Sequence, residues 1–387
     1  MSSLPAPETA LLRALVRSSS EKEPIAAPAH TIDWPLLVAA AERHRLAPLV
    51  FEGLSHFPSP PAVVRARLEN IRNLELAKSV VRMHHVEELG EVAFRERLDL
   101  HLLKGAAFAT TLYRDPGLRP MSDIDVLSSP AAFERWRREL EKLGYCLVDV
   151  SDHAICYRRS ATGVLVELHR ALTSASEFLG LDTRSLLERS RPFDGRLRTL
   201  SWEDHLLHLS LHASFQHGFR QAGLNAWDAL TIAERDDFDV TSFVERARAA
   251  RLAPWVYGGL AMTGAVFDGP RLAAIRRALE ESIPRSIARK AIRFRPERLL
   301  GPSLDTVFGT PTGRLRWCGW NLTTFSLLWE ISRPRPSETR QNLGGRPRRI
   351  LQLLRNHGFT LSSSISSKTI GLSPGPTPAS LGEVRDV

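Results

Sequence analysis

From Ile32 onward, apolar positions recur at helical spacing: Trp34, Leu37, Ala40 and Ala41, then Leu46, Leu49, Val50 and Leu54. Ser59-Pro60-Pro61 interrupts the pattern, and the two prolines open a helix over roughly 62–97 with Val64, Leu68, Ile71, Leu74, Leu76, Val80 and Val81 as its apolar positions. Before this, one helix is expected over Glu8–Val16, followed by a Ser/Glu/Pro/Ala-rich spacer. The period changes at 99–103, where Leu100, Leu102 and Leu103 read as a short strand. A helix over 104–114 follows and ends at the turn Asp115-Pro116-Gly117. Asp123–Leu127 reads as a second strand. Ser129-Pro130 starts a helix that runs to Leu143 and stops at Gly144.

Three more strands are expected at Cys146–Val150, Ala154–Arg158 and Val164–His169. After Thr173 the pattern is helical again, over Trp202–Gln216, Leu224–Glu234, Val240–Ala250, Trp255–Val266 and Pro270–Ser282. No internal repeat is visible. This order predicts an α+β protein, with a small mixed sheet as its core and helical regions on either side in sequence. The expected divisions are a flexible segment over 1–30, a helical region over 31–97, the core over 98–172, a helical domain over 173–335, and a basic, then disordered, tail over 336–387.

The chemistry concentrates at the second strand. Side chains of a strand alternate between faces, so Asp123 and Asp125 project to one side while Ile124 and Val126 point to the other. Two carboxylates side by side repel, and a divalent cation relieves them; Mg²⁺ favours carboxylate oxygens completed by substrate phosphates. The plainer alternative is a strand end with its acids in solvent. Lys104-Gly105 opens a helix directly after a strand, a place where backbone N–H groups bind phosphate. Glu167 is a single acid inside the apolar run Val164–His169, and a shared cation with Asp123 and Asp125 would account for it. His205, His208 and His212 share one helical face, but no acid or cysteine in that helix completes a zinc set, so polar packing or a site-facing surface is expected there.

The phrases Leu102-Leu-Lys-Gly-Ala-Ala107 and Leu118-Arg-Pro-Met-Ser-Asp-Ile-Asp-Val-Leu127, with the later acid Glu167, resemble the nucleotidyltransferase superfamily of DNA polymerase beta-like folds. Within it, they resemble a bacterial branch of uncharacterised nucleotidyltransferases, over roughly residues 30 to 265. The resemblance implies that Asp123, Asp125 and Glu167 are the catalytic metal-binding triad, with Mg²⁺ or Mn²⁺ as cofactor and a nucleoside triphosphate such as ATP as substrate. It also implies a nucleotide contact from Gly105; with such a site Ser122 is a further nucleotide-binding candidate, Lys104 either reaches a phosphate or is a strand-edge surface lysine, and Arg119 either touches phosphate or braces the metal strand. Ala106 stands where the superfamily usually has Ser or Gly, so one hydroxyl contact to phosphate is missing. Truncating Asp123 or Asp125 is expected to abolish activity while barely affecting stability, because it relieves repulsion.

Composition narrows the partners rather than the chemistry. The 43% hydrophobic and 25% charged content is ordinary for a soluble globular chain. Cys146, Cys156 and Cys318 form neither a disulfide framework nor a zinc pattern, and a reducing cytoplasm is expected. The N-terminus lacks a secretory pattern, and the longest apolar stretch, Leu252–Phe267, is too short and too rich in glycine to span a membrane. The net charge of +9 is concentrated between Arg271 and Arg355, which suits a polyanion, although a solvated basic surface is the plainer reading. Within the basic runs 289–298 and 346–349 no aromatic beyond Phe294 interleaves with the charges, so a nucleic-acid acceptor is not favoured. Three functions stay open: nucleotidylation of a small molecule or protein, RNA-directed nucleotide addition, and a non-catalytic accessory or antitoxin-like protein on the same scaffold.

Overall fold

In the computed structural model the described residues are 3–301, apart from 152, 174–175, 177–180, 217–218, 220–221, 284 and 293, together with 359–361 and 372–374. The chain divides into two units, Met1–Val307 and Phe308–Val387. In the second unit the described residues are one antiparallel pair, Phe359–Leu361 with Leu372–Pro374. The basic run 346–349 and Cys318 lie outside the described residues, as does the expected disordered tail apart from this strand pair.

The first unit begins with α1 (Ala6–Glu21), longer than the sequence pattern predicts, and it buries Leu11, Leu12, Leu15 and Val16. Helices α2 (Trp34–Arg43) and α3 (Ala47–Gly53) follow, and Asp33 caps α2 by accepting from the Leu36 N–H at 3.0 Å. Helix α4 (Ala62–Glu96) then runs for 35 residues. It buries Val64 and Leu68 near its start and Val86, Leu89, Val92 and Ala93 near its end. The middle of the expected apolar face is exposed: Leu74, Val80 and Val81 are 54%, 57% and 43% accessible. A helix of about 50 Å outreaches the core it crosses, so apolar periodicity there does not imply burial.

The sheet comprises β1 (His101–Leu102), β2 (Ile124–Leu127), β3 (Tyr145–Val150), β4 (Ala154–Arg159), β5 (Leu165–His169), β6 (Arg191–Pro192) and β7 (Arg198–Thr199), in the spatial order β3-β4-β5-β2-β1-β7-β6. It is mixed: β2 runs parallel to β5 and β1 to β7, and the other pairs are antiparallel. Helix α5 (Lys104–Thr111) leaves β1 directly. Helix α6 (Pro130–Lys142) starts at Ser129, whose hydroxyl accepts from the Ala132 N–H at 3.2 Å, and is followed by Gly144 at φ +83°. Ile124, Val126, Val166, Leu168, Ile155 and Tyr157 make one face of the sheet apolar and buried.

After β5 the chain forms α7 (Thr183–Glu188), α8 (Trp202–Leu211), α9 (Gly223–Ala233), α10 (Val240–Ala249), α11 (Ala253–Val266) and α12 (Pro270–Glu280). Helix α11 is apolar almost all round and sits centrally in this bundle. At Gly259 a Cβ would lie 2.5 Å from the Ser210 carbonyl oxygen, so a glycine is what lets α11 and α8 approach. Among the described residues, no helix is long and apolar enough to cross a membrane.

Candidate active site

The site sits where β2, β5 and β1 meet. Register brings Asp125 of β2 beside Glu167 of β5, and Glu167 beside Cys156 of β4. Residues paired across strands share a face, so these three side chains form a row, with Leu127, His169 and Ala154 forming the next row. Strand β2 starts at Ile124, one residue later than expected. Asp123 therefore precedes the strand in a bend and is half-buried, whereas Asp125 is 3% exposed.

Asp125 is the electrostatic centre. Leu103 N–H donates to the Asp125 carbonyl at 3.0 Å, and the chain then turns into α5 through Lys104, at φ +39°. A non-glycine residue in that left-handed region is uncommon, and its effect is to bring the Lys104 Nζ to 2.9 Å from Asp125 Oδ1. His169 reaches the same oxygen, its Nε2 lying 3.0 Å from Asp125 Oδ1 and 3.2 Å from Glu167 Oε2. Burial pushes the Asp125 carboxyl up, but the Lys104 ammonium and the His169 ring override it and hold the group well below the usual carboxylate range. Burial would lower His169, yet the hydrogen bonds to Asp125 and Glu167 raise it to about 9. Lys104 is likewise raised: Asp125 and Glu167 outweigh its burial.

Asp123 moves the other way. Burial, and then the charge of Asp125, push its carboxyl above the ordinary value. Two carboxyls two residues apart are thus driven in opposite directions, an arrangement typical of sites that do acid–base or charge chemistry. Cys156 is pushed up to about 11 by burial and by the charges of Glu167 and Asp123, which makes it a poor nucleophile.

The other expected nucleotide contacts occupy distinct places. Gly105 is buried in the first turn of α5, where a Cβ would lie 2.5 Å from Arg119 Nη1 and 2.7 Å from Met121 Cγ. Packing alone accounts for a glycine there. Arg119 is buried and donates to Asp228 of α9 from Nη2 at 2.7 Å and from Nε at 3.3 Å. Tyr113 donates to the other Asp228 oxygen at 2.5 Å, and the Arg119 guanidinium lies 5.7 Å from the Phe108 ring centre. Arg119 therefore ties the loop before β2 to the C-terminal helices and is fully occupied in doing so. Ser122 is exposed beside Asp123.

The expectation that either aspartate can be truncated without structural cost is corrected for Asp125. It is the buried counter-ion of Lys104 and His169, so its loss strands charge. Sequence reasoning also missed His169. Its signal was available, since Glu167-Leu168-His169 alternates and puts His169 on the face of Glu167. Among the described residues, Asp125, Glu167 and His169 form a group whose ligand atoms all lie within 4.8 Å of one another. Asp123 is not part of it. The hard oxygens of Asp125 and Glu167 in register, with a third carboxyl adjoining them that their charge drives up, fit a divalent cation. The helical histidines do not form such a group: His205 pairs with Thr199 at 2.8 Å and is pushed down to about 3 by burial, and His208 is fully buried.

The family described as an uncharacterised nucleotidyltransferase matches residues 30–268. No curated protein matches the sequence. Among solved structures, the solution structure of the antibiotic-resistance factor ANT(2'')-Ia is 14% identical, covers 53% of this chain and 94% of its own, and has a TM-score of 0.30, a likeness too loose to argue from.

Proposed function

The chain belongs to the uncharacterised nucleotidyltransferase family, and on that premise we propose that it moves a nucleoside monophosphate from a nucleoside triphosphate to a hydroxyl, or similar group, of a small molecule or protein. The observation that carries this reading is the pairing of Asp125 with Glu167 on parallel strands, with Asp123 two residues upstream. Asp123, Asp125 and Glu167 would hold Mg²⁺ or Mn²⁺, which supplies neutralisation of phosphate charge and a lowered pKa for the acceptor hydroxyl.

The chain's own groups do the rest. Glu167 keeps 30% of its side chain exposed, so it can accept the acceptor's proton. The acceptor oxygen then bonds to the α-phosphorus as the bond to the bridging oxygen breaks, and pyrophosphate leaves with that electron pair. His169 fixes the oxygens of Asp125 and Glu167 by touching both. Lys104, Gly105 and Ser122 border the nucleotide, and Arg119 acts from beneath, by bracing the loop that carries Ser122 and Asp123. Positioning of this kind supplies much of the acceleration in phosphoryl transfer. A reducing cytoplasm is the setting we propose, in keeping with the free thiols of Cys146 and Cys156.

The test is transfer from α-labelled ATP, GTP, CTP and UTP with Mg²⁺ or Mn²⁺, with and without cell lysate. Metal-dependent labelling with release of pyrophosphate is expected. The reading fails if no nucleotide gives either signal.

A further inference from the structure

Two arginines of the N-terminal helices converge on the loop before β2, and neither is explained by the site as described. Arg45, at the end of α2, donates from Nη2 to the Pro120 carbonyl at 2.8 Å. Arg82, from the exposed middle of α4, donates from Nη2 to the Ser122 carbonyl at 3.3 Å. Both are half-buried, and the Nε of Arg82 is buried without a hydrogen-bond partner. Among the described residues, neither is ion-paired. The acids that act on both are Asp123 and Glu75, and Glu75 is itself paired with Lys78 at 2.8 Å.

The contrast with Arg119 is informative. All three arginines lie around the same short loop, yet Arg119 is held by a fully buried carboxylate while Arg45 and Arg82 hold only peptide carbonyls. Burying a guanidinium is costly unless an anion accompanies it. Burial lowers both Arg45 and Arg82 below the ordinary guanidinium value, Arg119 lowers Arg45 further, and Asp123 and Glu75 do not compensate. The carbonyls that hold them belong to residues 120 and 122, so their guanidiniums lie within a few residues' span of each other and of Asp123. Arginine's planar fork matches phosphate oxygens two at a time.

We propose that Arg45 and Arg82 form a seat for the polyphosphate of the nucleotide, supplied by the N-terminal helices across the loop from the carboxylates. This rests on the nucleotidyltransferase reading for the identity of the ligand, but the seat itself is a property of the two arginines. It gives α4 a role that burial does not: the helix carries Arg82 to the site edge from a stretch whose apolar residues face solvent. It also divides the labour, with carboxylates on the sheet side of the phosphates and guanidiniums on the helical side.

The experiment is calorimetric titration of the full chain with tripolyphosphate in Mg²⁺, and separately with the best nucleoside triphosphate. Arg45→Gln, Arg82→Gln and the double variant are compared with wild type. Glutamine keeps a polar side chain but is too short to reach the loop carbonyls, so thermal melts verify that each variant is folded; Arg82→Gln carries the test alone should Arg45→Gln melt early. Each single change is expected to weaken tripolyphosphate binding about tenfold, and the double change about a hundredfold, with little change in melting temperature. The proposal is overturned if the folded variants bind tripolyphosphate like wild type. It is also overturned if they raise KM only for an acceptor and not for the nucleotide, which would make the seat an acceptor site. Wild type that binds tripolyphosphate through these arginines yet transfers no label would refute the proposed function and leave the seat standing. Wild type that transfers label, with nucleotide KM unchanged in the variants, would do the reverse.

Discussion

Asp123 and Asp125 look equivalent in sequence, and the structure makes them opposites in their effect on stability. Asp125→Asn removes the acid that sits 2.9 Å from Lys104 Nζ and 3.0 Å from His169 Nε2, in a pocket where the side chains of Lys104, Asp125 and His169 are 16%, 4% and 2% exposed. Breaking a buried pair by deleting one member costs about 3–5 kcal/mol, because the other charge stays behind. At about 2–4 °C per kcal/mol, the melting temperature should fall by about 6–20 °C. Asp123→Asn removes a half-buried carboxyl that the charge of Asp125 already disfavours, so it should leave stability within about 0.5 kcal/mol of wild type or raise it. Lys104→Met added to Asp125→Asn takes away the stranded ammonium and should recover part of the loss, giving a coupling of about 1–3 kcal/mol in a double-mutant cycle completed by Lys104→Met alone. Thermal melts and urea unfolding of Asp123→Asn, Asp125→Asn, Lys104→Met and the Lys104→Met/Asp125→Asn double variant at neutral pH measure all of this. The electrostatic account is wrong if Asp125→Asn melts at or above wild type, or if Asp123→Asn costs as much.

Asp228→Asn should destabilise by about 3–5 kcal/mol by orphaning the buried Arg119, and thermal melts compared with Asp237→Asn on the exposed surface separate this from a generic loss of charge. Gly105→Ala should cost about 1–3 kcal/mol, because its Cβ must displace an Arg119 that Asp228 holds in place; unchanged stability would mean that the loop yields freely. Stability should also fall in acid through buried histidines. Burial lowers His44 and His101 to about 4 and His205 to about 3, against 6.5 when unfolded. A depressed pKa leaves stability intact above 6.5 and removes it as pH falls, since only the unfolded chain takes up the protons. With about 1.4 kcal/mol per pH unit for each histidine, the three together give a slope of about 4 kcal/mol per unit near pH 5. Urea midpoints that stay flat from pH 6.5 to 5 would contradict it.

Local signals in the chain suffice where local physics sets the outcome. Ser129-Pro130 and Gly144 bracket α6 because capping and left-handed backbone depend on a few neighbouring residues. Alternation over Asp123–Leu127 and Val164–His169 predicts acids on strands, which holds for Asp125 and Glu167 but not for Asp123, and the parallel register brings Asp125 to Glu167. What periodicity could not reveal was partnership. Arg119 and Asp228 are 109 residues apart in sequence, and nothing near either one announces the other. Lys104 looked available for a phosphate because its proximity to Asp125 depends on β1 and β2 pairing antiparallel and on the chain turning sharply at φ +39°. The apolar middle of α4 differs from expectation for a related reason: its periodicity is helical, but Leu74, Val80 and Val81 stay exposed while Leu76 lies against Gly117.

The central claim is nucleotidyl transfer, and Asp123→Asn tests it most directly because that variant should remain fully folded. Label transfer from each α-labelled nucleoside triphosphate, with Mg²⁺ or Mn²⁺ and lysate as the source of acceptor, is compared between wild type, Asp123→Asn and Glu167→Gln. Wild type should transfer label and release pyrophosphate only with metal, and both variants should lose at least about a hundredfold in rate, Asp123→Asn melting like wild type and Glu167→Gln, which removes an acid 3.2 Å from His169, melting lower but still folded. Transfer that survives in both folded variants, or no transfer and no metal-dependent nucleotide binding by wild type, would contradict the account.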